Sequence, residues 1–250
     1  EKRGTSVYLV DRTIPMLPEV LSNNLCSLRP NEDRLTFSVI IKMDKDFNVT
    51  DKWIGRTIIH SDKRFTYEDA QLSIDKKDDN YSKYLIQLNK IAKKIREDRL
   101  ENGAFNFGSE EIKFKLDENK KPIKIFKKVR KDTHKMVEEY MLMANKIVAE
   151  KINEIEKKNK KNYTFVYRIH EDPDKEKLIE LKNFIKQFGY SINTESQGLS
   201  TSLNDLMKKI KNKPEESSIE KFAIRSMSKA KYSVKKEKHF GLAFKNYTHF

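Results

Sequence analysis

Alternation of apolar and polar residues predicts two long strands in the first quarter of the chain. Residues 34–43 alternate in this way, and residues 49–60 form a second run with strand character. The polar residues 44–48 between them indicate a turn, so the two strands are expected to form a hairpin. The face expected to be buried carries Leu35, Phe37, Val39 and Ile41, and the opposite face carries Thr36, Ser38 and Lys42.

Helical spacing of apolar residues is the dominant pattern after residue 80. Residues 81–100 and 133–157 carry apolar side chains every three or four positions, as one face of an α-helix requires. Two shorter helices are expected at residues 203–210 and 219–227. The stripe expected to be buried on the longest helix consists of Val137, Tyr140, Met141, Ala144, Ile147, Val148, Ile152 and Ile155.

Caps and turns predict the remaining elements. Thr66 followed by Asp69 is typical of a helix start, and so is Asp172 before Pro173. Residues 112–129 predict a second hairpin around a polar turn. Strands therefore prevail in the first half and helices in the second, which predicts a mixed α/β (α+β) fold with one core.

The charge balance of the 250 residues favours a polyanionic partner. The chain has 52 Lys and Arg against 38 Asp and Glu, so its net charge is +14. Such a field attracts nucleic acid first and an anionic membrane second, although lysines scattered in this way also occur in proteins from a lysine-rich proteome. No apolar run approaches the roughly 20 residues of a membrane span. The single cysteine, Cys26, is expected to be buried in a protein of the reducing cytosol.

The most informative stretch is residues 3–28, which read RGTSVYLVDRTIPMLPEVLSNNLCSL. Its first part is expected to be a short strand that Pro15 ends, because proline has no N–H to donate. Pro18 is expected to open a short helical turn that the Asn23–Asn24 pair ends. An aromatic residue, Tyr8, is then expected close to the bend.

This stretch resembles part of the catalytic domain of the RNB-type exoribonucleases, the family of ribonuclease II and ribonuclease R. There, a segment of the form RGTSVYL…R.IPMLPE.LSN.LCSL lies beside the active site. The resemblance covers essentially the whole chain, and residues 3–8 favour the bacterial ribonuclease R branch. It implies that residues 1–250 are the central part of an RNB-type catalytic domain that is truncated at both ends, as the abrupt ends at Glu1 and Phe250 also suggest.

Two aromatic residues are implied to grip the RNA. Tyr8 corresponds to a family tyrosine that stacks on a base at the cleavage end, and Phe107 corresponds to the aromatic on the opposite side of that clamp. Aromatic faces hold any base without reading its sequence, at about 1–3 kcal/mol per base. From the residues alone, ordinary core packing would be the better explanation for either ring.

Two further residues are implied to contact the ribose near the scissile phosphate. Tyr67 and Glu138 correspond to these family positions, and both side chains can hydrogen-bond the 2′-hydroxyl that separates RNA from DNA. Glu139 is the competing carboxylate and points about 100° away on an ideal helix. Without the resemblance, Glu138 could equally be a first-turn carboxylate favoured by the helix dipole.

The catalytic metal is expected outside this chain. The family hydrolyses phosphodiesters with Mg²⁺ held by aspartates that would precede Glu1, and a family arginine would follow Phe250. We therefore expect no catalytic residue and no metal ligand within residues 1–250. Asp75, Asp78 and Asp79 are expected to form a solvated turn. The histidines show no ligand spacing, and His170 is expected to be structural.

The resemblance thus implies a fragment of a cytoplasmic, bacterial 3′-to-5′ exoribonuclease. The parent enzyme would hydrolyse single-stranded RNA processively to nucleoside 5′-monophosphates, and this fragment alone would be inactive. The alternative is a catalytically silent RNA-binding or scaffold module of the same fold. A third reading, a basic protein unrelated to RNA, has only the composition in its favour. No protein partner can be inferred.

Overall fold

The structure of the protein, a computed structural model, describes residues 4–77, 79–105, 111–195 and 198–250. The chain divides into two units. The first comprises Glu1–Lys42, Val49–Ile86 and Ser109–His134, and the second comprises Met43–Asn48, Gln87–Gly108 and Lys135–Phe250.

Strands pair two by two within the described ranges. Their bounds are β1 (Val7–Tyr8), β2 (Thr13–Ile14), β3 (Asp33–Met43), β4 (Val49–His60), β5 (Glu111–Leu116), β6 (Pro122–Lys128), β7 (Tyr167–Ile169) and β8 (Lys231–Ser233). The two-stranded sheets are β1–β2, β3–β4, β5–β6 and β7–β8. Both predicted hairpins, β3–β4 and β5–β6, are confirmed.

Helices prevail in the second half of the chain, as predicted. Their bounds are α1 (Tyr67–Lys76), α2 (Ser82–Glu101), α3 (Asp132–Asn159), α4 (Lys175–Lys186), α5 (Leu199–Ile210) and α6 (Glu216–Ser226). A π-helical turn at Val20–Leu25 and a 3-10 turn at Phe240–Leu242 complete the set. The mixed α/β class is confirmed. In the part of the chain that the structure describes, no helix combines the length and apolar character needed to cross a membrane.

The apolar core of the second unit forms between α4, α5 and α6. Leu199, Leu203, Leu206 and Ile210 follow helical spacing on α5, and none exposes more than 2% of its surface. They pack with buried residues of α4 and α6 in one cluster. Side chains at positions i, i+3, i+4 and i+7 of a helix lie on one face, so the apolar stripe of α5 buries itself against its neighbours.

Helix α1 starts at the predicted cap, whereas α4 starts two residues later than predicted. Thr66 Oγ1 accepts a hydrogen bond from the Asp69 N–H at 3.0 Å. The cap of α4 is Asp174, whose Oδ1 accepts the N–H of Glu176 at 3.0 Å. The prediction of Asp172 as the cap is wrong. Asp172 instead makes an ion pair with Lys238 at 2.7 Å.

At the start of β3, the exposed and the protected face are exchanged relative to the prediction. Leu35 exposes 85% of its surface and Phe37 exposes 55%, whereas Thr36 and Ser38 are half-buried. The hydroxyls of Thr36 and Ser38 approach Thr57 Oγ1 at 2.5 and 2.6 Å. A hydroxyl ladder between the two strands therefore occupies the more protected face, which alternation of apolar residues could not reveal.

The buried face of α3 also differs from the predicted stripe in its first half. Val137 and Met141 are exposed, whereas Met136 and Leu142 are buried. Three polar residues of α3 are also buried, on different sides of the helix: Thr133, Glu139 and Asn145. Each of them hydrogen-bonds another part of the chain, so α3 is covered on several sides and not along one apolar stripe.

Residues 4–28 differ from the predicted strand and buried cysteine. Two-residue strands β1 and β2 form a small hairpin instead of one strand. The π-helical turn continues through Asn23 and Asn24 instead of ending there. Cys26 is exposed, because the turn that its N–H closes on Leu21 faces solvent.

Candidate nucleic-acid interface

Tyr8 lies on a small hairpin that presents its ring to solvent. Val7 pairs with Ile14 and Tyr8 pairs with Thr13 in antiparallel register. The Leu9 N–H donates to the Arg12 carbonyl at 2.8 Å and closes the turn. Tyr8 exposes 79% of its surface. Its ring is therefore free to accept a planar ligand, and core packing does not explain its position.

The base of this hairpin is closed by a side chain. The Met16 N–H donates to Ser6 Oγ at 3.0 Å. Pro15 precedes Met16, and its missing N–H ends the ladder after Ile14. The closed base and the closed turn together hold the exposed ring of Tyr8 on a short, constrained segment.

Tyr67 is the first residue of α1, and its position is fixed by contacts within the first unit. Its ring stacks on His134 with centroids 4.1 Å apart and an interplanar angle of 14°. Its carbonyl accepts a hydrogen bond from Thr133 Oγ1 at 3.0 Å. Tyr67 nevertheless exposes 44% of its surface. The stacked ring is thus held in place while part of it remains open to a ligand.

His134 is a site residue that the sequence analysis missed. Besides stacking on Tyr67, its Nδ1 accepts the Lys131 N–H at 3.3 Å and so helps to cap the start of α3. The two stacked residues are 67 positions apart in the chain, and neither belongs to a recognisable pair motif. No sequence signal could have brought them together.

Two adjacent carboxylates on α3 have different environments. Glu139 exposes 1% of its surface and binds Arg99 through two hydrogen bonds, from Nε at 3.0 Å and from Nη2 at 2.5 Å. Glu138 is half-buried in the same unit. Because the guanidinium of Arg99 engages both oxygens of Glu139, this carboxylate is structural. Of the two, Glu138 is the one that remains a candidate for ligand contact.

The segment that leads towards Phe107 is fixed up to Phe105. Gly103 adopts a φ of +95°, which favours glycine, and its N–H together with that of Ala104 closes the end of α2. Asn204 Nδ2 donates to the Ala104 carbonyl at 2.9 Å. Phe107 itself lies outside the described residues, so its predicted role in the clamp stays a prediction.

A cluster of rings surrounds the last residues of the second unit. His170 Nε2 lies 2.8 Å from the Ser228 carbonyl and must carry the proton, while its Nδ1 accepts the Gly241 N–H at 3.1 Å. A Cβ at Gly241 would meet that Nδ1 at 2.8 Å, so the close approach requires glycine. Both ring nitrogens of His170 are used by the backbone, which agrees with the structural role expected for it.

Burial lowers the pKa of three histidines in this cluster: His170, His239 and His249. The pKa of His170 falls below its ordinary value mainly through desolvation. Burial, with a smaller effect from His170, lowers the pKa of His239 to about 4. The rings of His170 and His239 meet edge to face, with centroids 5.1 Å apart. Both imidazoles are therefore neutral near pH 7.

The chain end is fixed to α3 and to the residue before β7. Asn145 Nδ2 donates to the Tyr247 hydroxyl at 3.0 Å, and Asn145 Oδ1 accepts the Phe250 N–H at 2.8 Å. Thr248 Oγ1 donates to the Val166 carbonyl at 2.7 Å. The buried asparagine thus positions residues 247–250 against the helix that carries Glu138.

The described carboxylates do not fit a magnesium centre. Among residues 4–77, 79–105, 111–195 and 198–250, no group of three or more His, Cys, Asp or Glu side chains could hold a metal ion. Asp75 accepts a hydrogen bond from Gln71, and Asp79 accepts the N–H groups of Tyr81 and Ser82 at the start of α2. Asp78 lies outside the described residues.

Comparison with known proteins gives the same family over the full length. The sequence matches the RNB domain family over residues 1–250. It is 37% identical over 255 residues to "Ribonuclease R" of Thermotoga maritima, covering 100% of this chain and 35% of that protein. The chain therefore spans about a third of the length of this curated relative.

Solved structures give the same result for the fold. "Mycoplasma genitalium RNase R in complex with ribose methylated single-stranded RNA" superposes with a TM-score of 0.86 at 27% identity, covering 98% of this chain and 38% of that one. The "yeast Ssd1, a pseudonuclease" superposes with a TM-score of 0.73 at 22% identity, covering 98% of this chain and 30% of that one. The second likeness concerns the fold alone. The chain belongs to the RNB family of ribonuclease R-like exoribonucleases.

Proposed function

We propose that this chain is the RNA-gripping part of a bacterial, cytoplasmic 3′-to-5′ exoribonuclease. The parent protein would hydrolyse single-stranded RNA processively to nucleoside 5′-monophosphates. In this proposal the chain binds the RNA and positions its end, while the Mg²⁺-binding aspartates and the family arginine belong to other parts of the parent. The chain then contains no catalytic residue and is inactive alone.

The exposed ring of Tyr8 is the observation that carries this proposal. The ring of Tyr8, which exposes 79% of its surface on a braced hairpin, is accessible to a planar ligand. A base can stack on such a ring whatever its identity, which suits an enzyme that must advance along any sequence. The net charge of +14 supports an anionic ligand. Phe107 is proposed to close the other side of the base.

Tyr67 and Glu138 are proposed to contact the ribose. A phenol hydroxyl and a carboxylate can both hydrogen-bond a 2′-hydroxyl, and this would let the protein prefer RNA over DNA. The stack of Tyr67 on His134 supports this role, because a held ring loses little side-chain entropy on binding. The likeness to Mycoplasma genitalium RNase R in complex with ribose methylated single-stranded RNA supports RNA as the ligand class.

Binding of labelled oligonucleotides tests the base-gripping role. We expect the Tyr8→Ala chain to bind unstructured single-stranded RNA roughly 5- to 150-fold more weakly, because one stacking contact is worth about 1–3 kcal/mol. Tyr8→Phe should keep most of the affinity. Tyr84→Ala is the matched control, since Tyr84 is also an exposed tyrosine, at 58%, on a helix of the same unit. Equal losses in Tyr8→Ala and Tyr84→Ala would contradict the proposal.

Incubation with 5′-labelled RNA and Mg²⁺ tests the inactivity of the chain. We expect the RNA to remain intact with the chain alone and to be shortened from its 3′ end by the full-length parent. Shortening by the chain alone would show that it contains the catalytic residues. An intact substrate with the full-length parent would favour the second candidate function.

The second candidate is a catalytically silent RNA-binding module. The likeness to a solved protein described as a pseudonuclease favours it at the level of fold. Every contact proposed for Tyr8 and Tyr67 fits this reading as well. The two candidates differ in whether the parent supplies a cluster of aspartates, so sequence and activity of the parent distinguish them.

A further inference from the structure

The β5–β6 hairpin of the first unit has two faces of different chemistry. Residues directly opposite each other in an antiparallel pair share one face. Ile112 opposes Lys127 and Phe114 opposes Ile125, which makes one face mainly apolar. On the other face, the opposed pairs are Glu111 with Lys128, Lys113 with Phe126 and Lys115 with Lys124. We call the last two of these pairs the basic face.

The basic face is open to solvent, and the Glu111–Lys128 pair continues it at one end. All four of its side chains are exposed, and Phe126 exposes 43% of its surface. Within the described ranges, none of the three lysines makes an ion pair. The Asp117 carboxylate in the adjacent turn is used locally, since its Oδ1 accepts the N–H groups of Asn119 and Lys121.

Two like charges directly opposite each other make this face unfavourable on its own. Lys115 and Lys124 occupy opposed positions, and opposed like charges destabilise an antiparallel pair. Lys113 stands two residues from Lys115, about 6.8 Å along the strand. An anion between the opposed lysines would remove their repulsion. A chain of regularly spaced anions would satisfy all three ammonium groups at once.

The aromatic ring selects among polyanions. Phe126 stands directly across from Lys113 and two residues after Lys124. A membrane surface or a simple polyphosphate would need only the charges. A single-stranded nucleic acid presents both phosphates and unstacked bases, and proteins bind it by combining cationic side chains with stacking rings.

We propose that the basic face of the β5–β6 hairpin binds single-stranded RNA, with Lys113, Lys115 and Lys124 on phosphates and Phe126 stacked on a base. This inference rests on the proposed function, because it assumes that the chain binds RNA. It adds a second contact surface to the one proposed around Tyr8. Its energy comes mainly from phosphates, so it holds RNA of any sequence.

A charge-matched pair of variants tests this surface. The first variant is Lys113→Gln/Lys115→Gln/Lys124→Gln, and the control is Lys175→Gln/Lys182→Gln/Lys186→Gln on exposed positions of α4. Each triple variant lowers the net charge of the chain by three, so the two variants have the same net charge. Affinity for a fluorescent 20-nucleotide oligouridylate is measured by anisotropy at several KCl concentrations.

We expect the basic-face variant to flatten the salt dependence and the α4 variant to leave it unchanged. Each phosphate contact contributes about 0.7 to the slope of log K against log salt for single strands, so three lost contacts lower the slope by about 2. Phe126→Ala should weaken binding roughly 5- to 150-fold without changing that slope. Lys113→Arg/Lys115→Arg/Lys124→Arg keeps the charges, and it should keep both affinity and slope.

The outcomes separate this inference from the proposed function. If the unmodified chain binds no RNA, the proposed function fails. If the chain binds RNA and the basic-face and α4 variants behave alike, only the present inference is overturned. The inference would also be overturned if the basic-face variant lost binding to phosphatidylserine vesicles but kept its affinity for RNA. Circular dichroism checks that each variant is folded, and the single variant Lys115→Gln, with an expected slope change of about 0.7, decides the matter if the triple variant unfolds.

Discussion

The two units of this chain bury their apolar residues to very different extents. Within the described ranges, Ala70 is the one buried hydrophobic residue of the first unit, whereas the second unit has a continuous core between α4, α5 and α6. Tyr8, Leu35 and Ile125 of the first unit each expose more than 60% of their surface. The second unit is organised by packing, and the first by turns, caps and strand pairing.

This difference separates most of the residues that are proposed to bind RNA from residues that support the fold; Glu138, which lies in the second unit, is the exception. Tyr8, Tyr67 and the basic face of the β5–β6 hairpin belong to the first unit and are exposed. Exposed aromatic and cationic side chains are the groups that hold single-stranded RNA. In the second unit, the Arg99–Glu139 ion pair and the ring cluster around His239 are internal. We therefore expect substitutions of these exposed residues to change RNA affinity more than stability, and substitutions of these internal residues to do the reverse.

The largest effect is expected for the buried ion pair. Glu139→Gln should lower the free energy of unfolding by about 3–5 kcal/mol, because it leaves the guanidinium of Arg99 buried without a counter-charge. Urea unfolding monitored by circular dichroism measures this change in the free energy of unfolding. The neighbouring Glu138→Gln is the control and should cost less than about 1 kcal/mol, since Glu138 is only half-buried. If both substitutions lowered the free energy of unfolding by the same amount, the two carboxylates would not differ in their structural role.

A pair of leucines compares the two units directly. Leu203→Ala should destabilise the chain by about 2–5 kcal/mol, because Leu203 is completely buried in the core of the second unit. Leu35→Ala should change stability by less than about 0.5 kcal/mol, because Leu35 exposes 85% of its surface. The same urea unfolding measures both. A large cost for Leu35→Ala would show that β3 is covered in solution, and the contrast between the units would fail.

Stability should fall in mild acid because of the second unit. The pKa of His239 is about 4 in the folded chain and 6.5 ordinarily, so the unfolded chain binds more protons between these values. The free energy of unfolding therefore decreases as pH falls from about 6.5 to 4, by about 2 kcal/mol after allowance for partial exposure. The lowered pKa of His170 acts in the same direction.

Unfolding curves across this pH range measure the effect. His239→Gln should flatten the dependence on pH, because glutamine does not titrate. An unchanged pH profile in this variant would contradict the assignment of the effect to His239.

The smallest effect is expected at a helix cap of the first unit. Thr66→Ala should cost about 1 kcal/mol, because it removes the hydroxyl that accepts the Asp69 N–H. Thr66→Ser keeps the hydroxyl and should stay close to the unmodified chain. If Thr66→Ala also weakens RNA binding, the start of α1 positions Tyr67 for its ligand.

Local signals in the sequence were sufficient for most elements of the fold. The Thr66 cap, the two hairpins and the apolar spacing of α5 each depend on residues close together in the chain, so they could be predicted. The faces of β3 and α3 could not. They depend on hydrogen bonds between distant polar residues, such as Thr36 with Thr57 and Arg99 with Glu139.

The candidate site was predicted through family resemblance more than through pattern. Tyr8, Tyr67 and Glu138 were identified in this way, and the structure adds His134 as the ring on which Tyr67 stacks. No sequence pattern near either residue predicts a contact between positions 67 residues apart. The exposure of Tyr8 could not be predicted either, because an aromatic residue in a short apolar strand is more often buried.

The most direct test of the account is whether the ring of Tyr8 stacks on an RNA base. An RNA oligonucleotide with 2-aminopurine as its 3′-terminal base reports stacking through quenching of its fluorescence. We expect the unmodified chain and Tyr8→Phe to quench it, and Tyr8→Ala to leave it bright at concentrations where the RNA is still bound. Equal quenching by Tyr8→Ala would contradict the account.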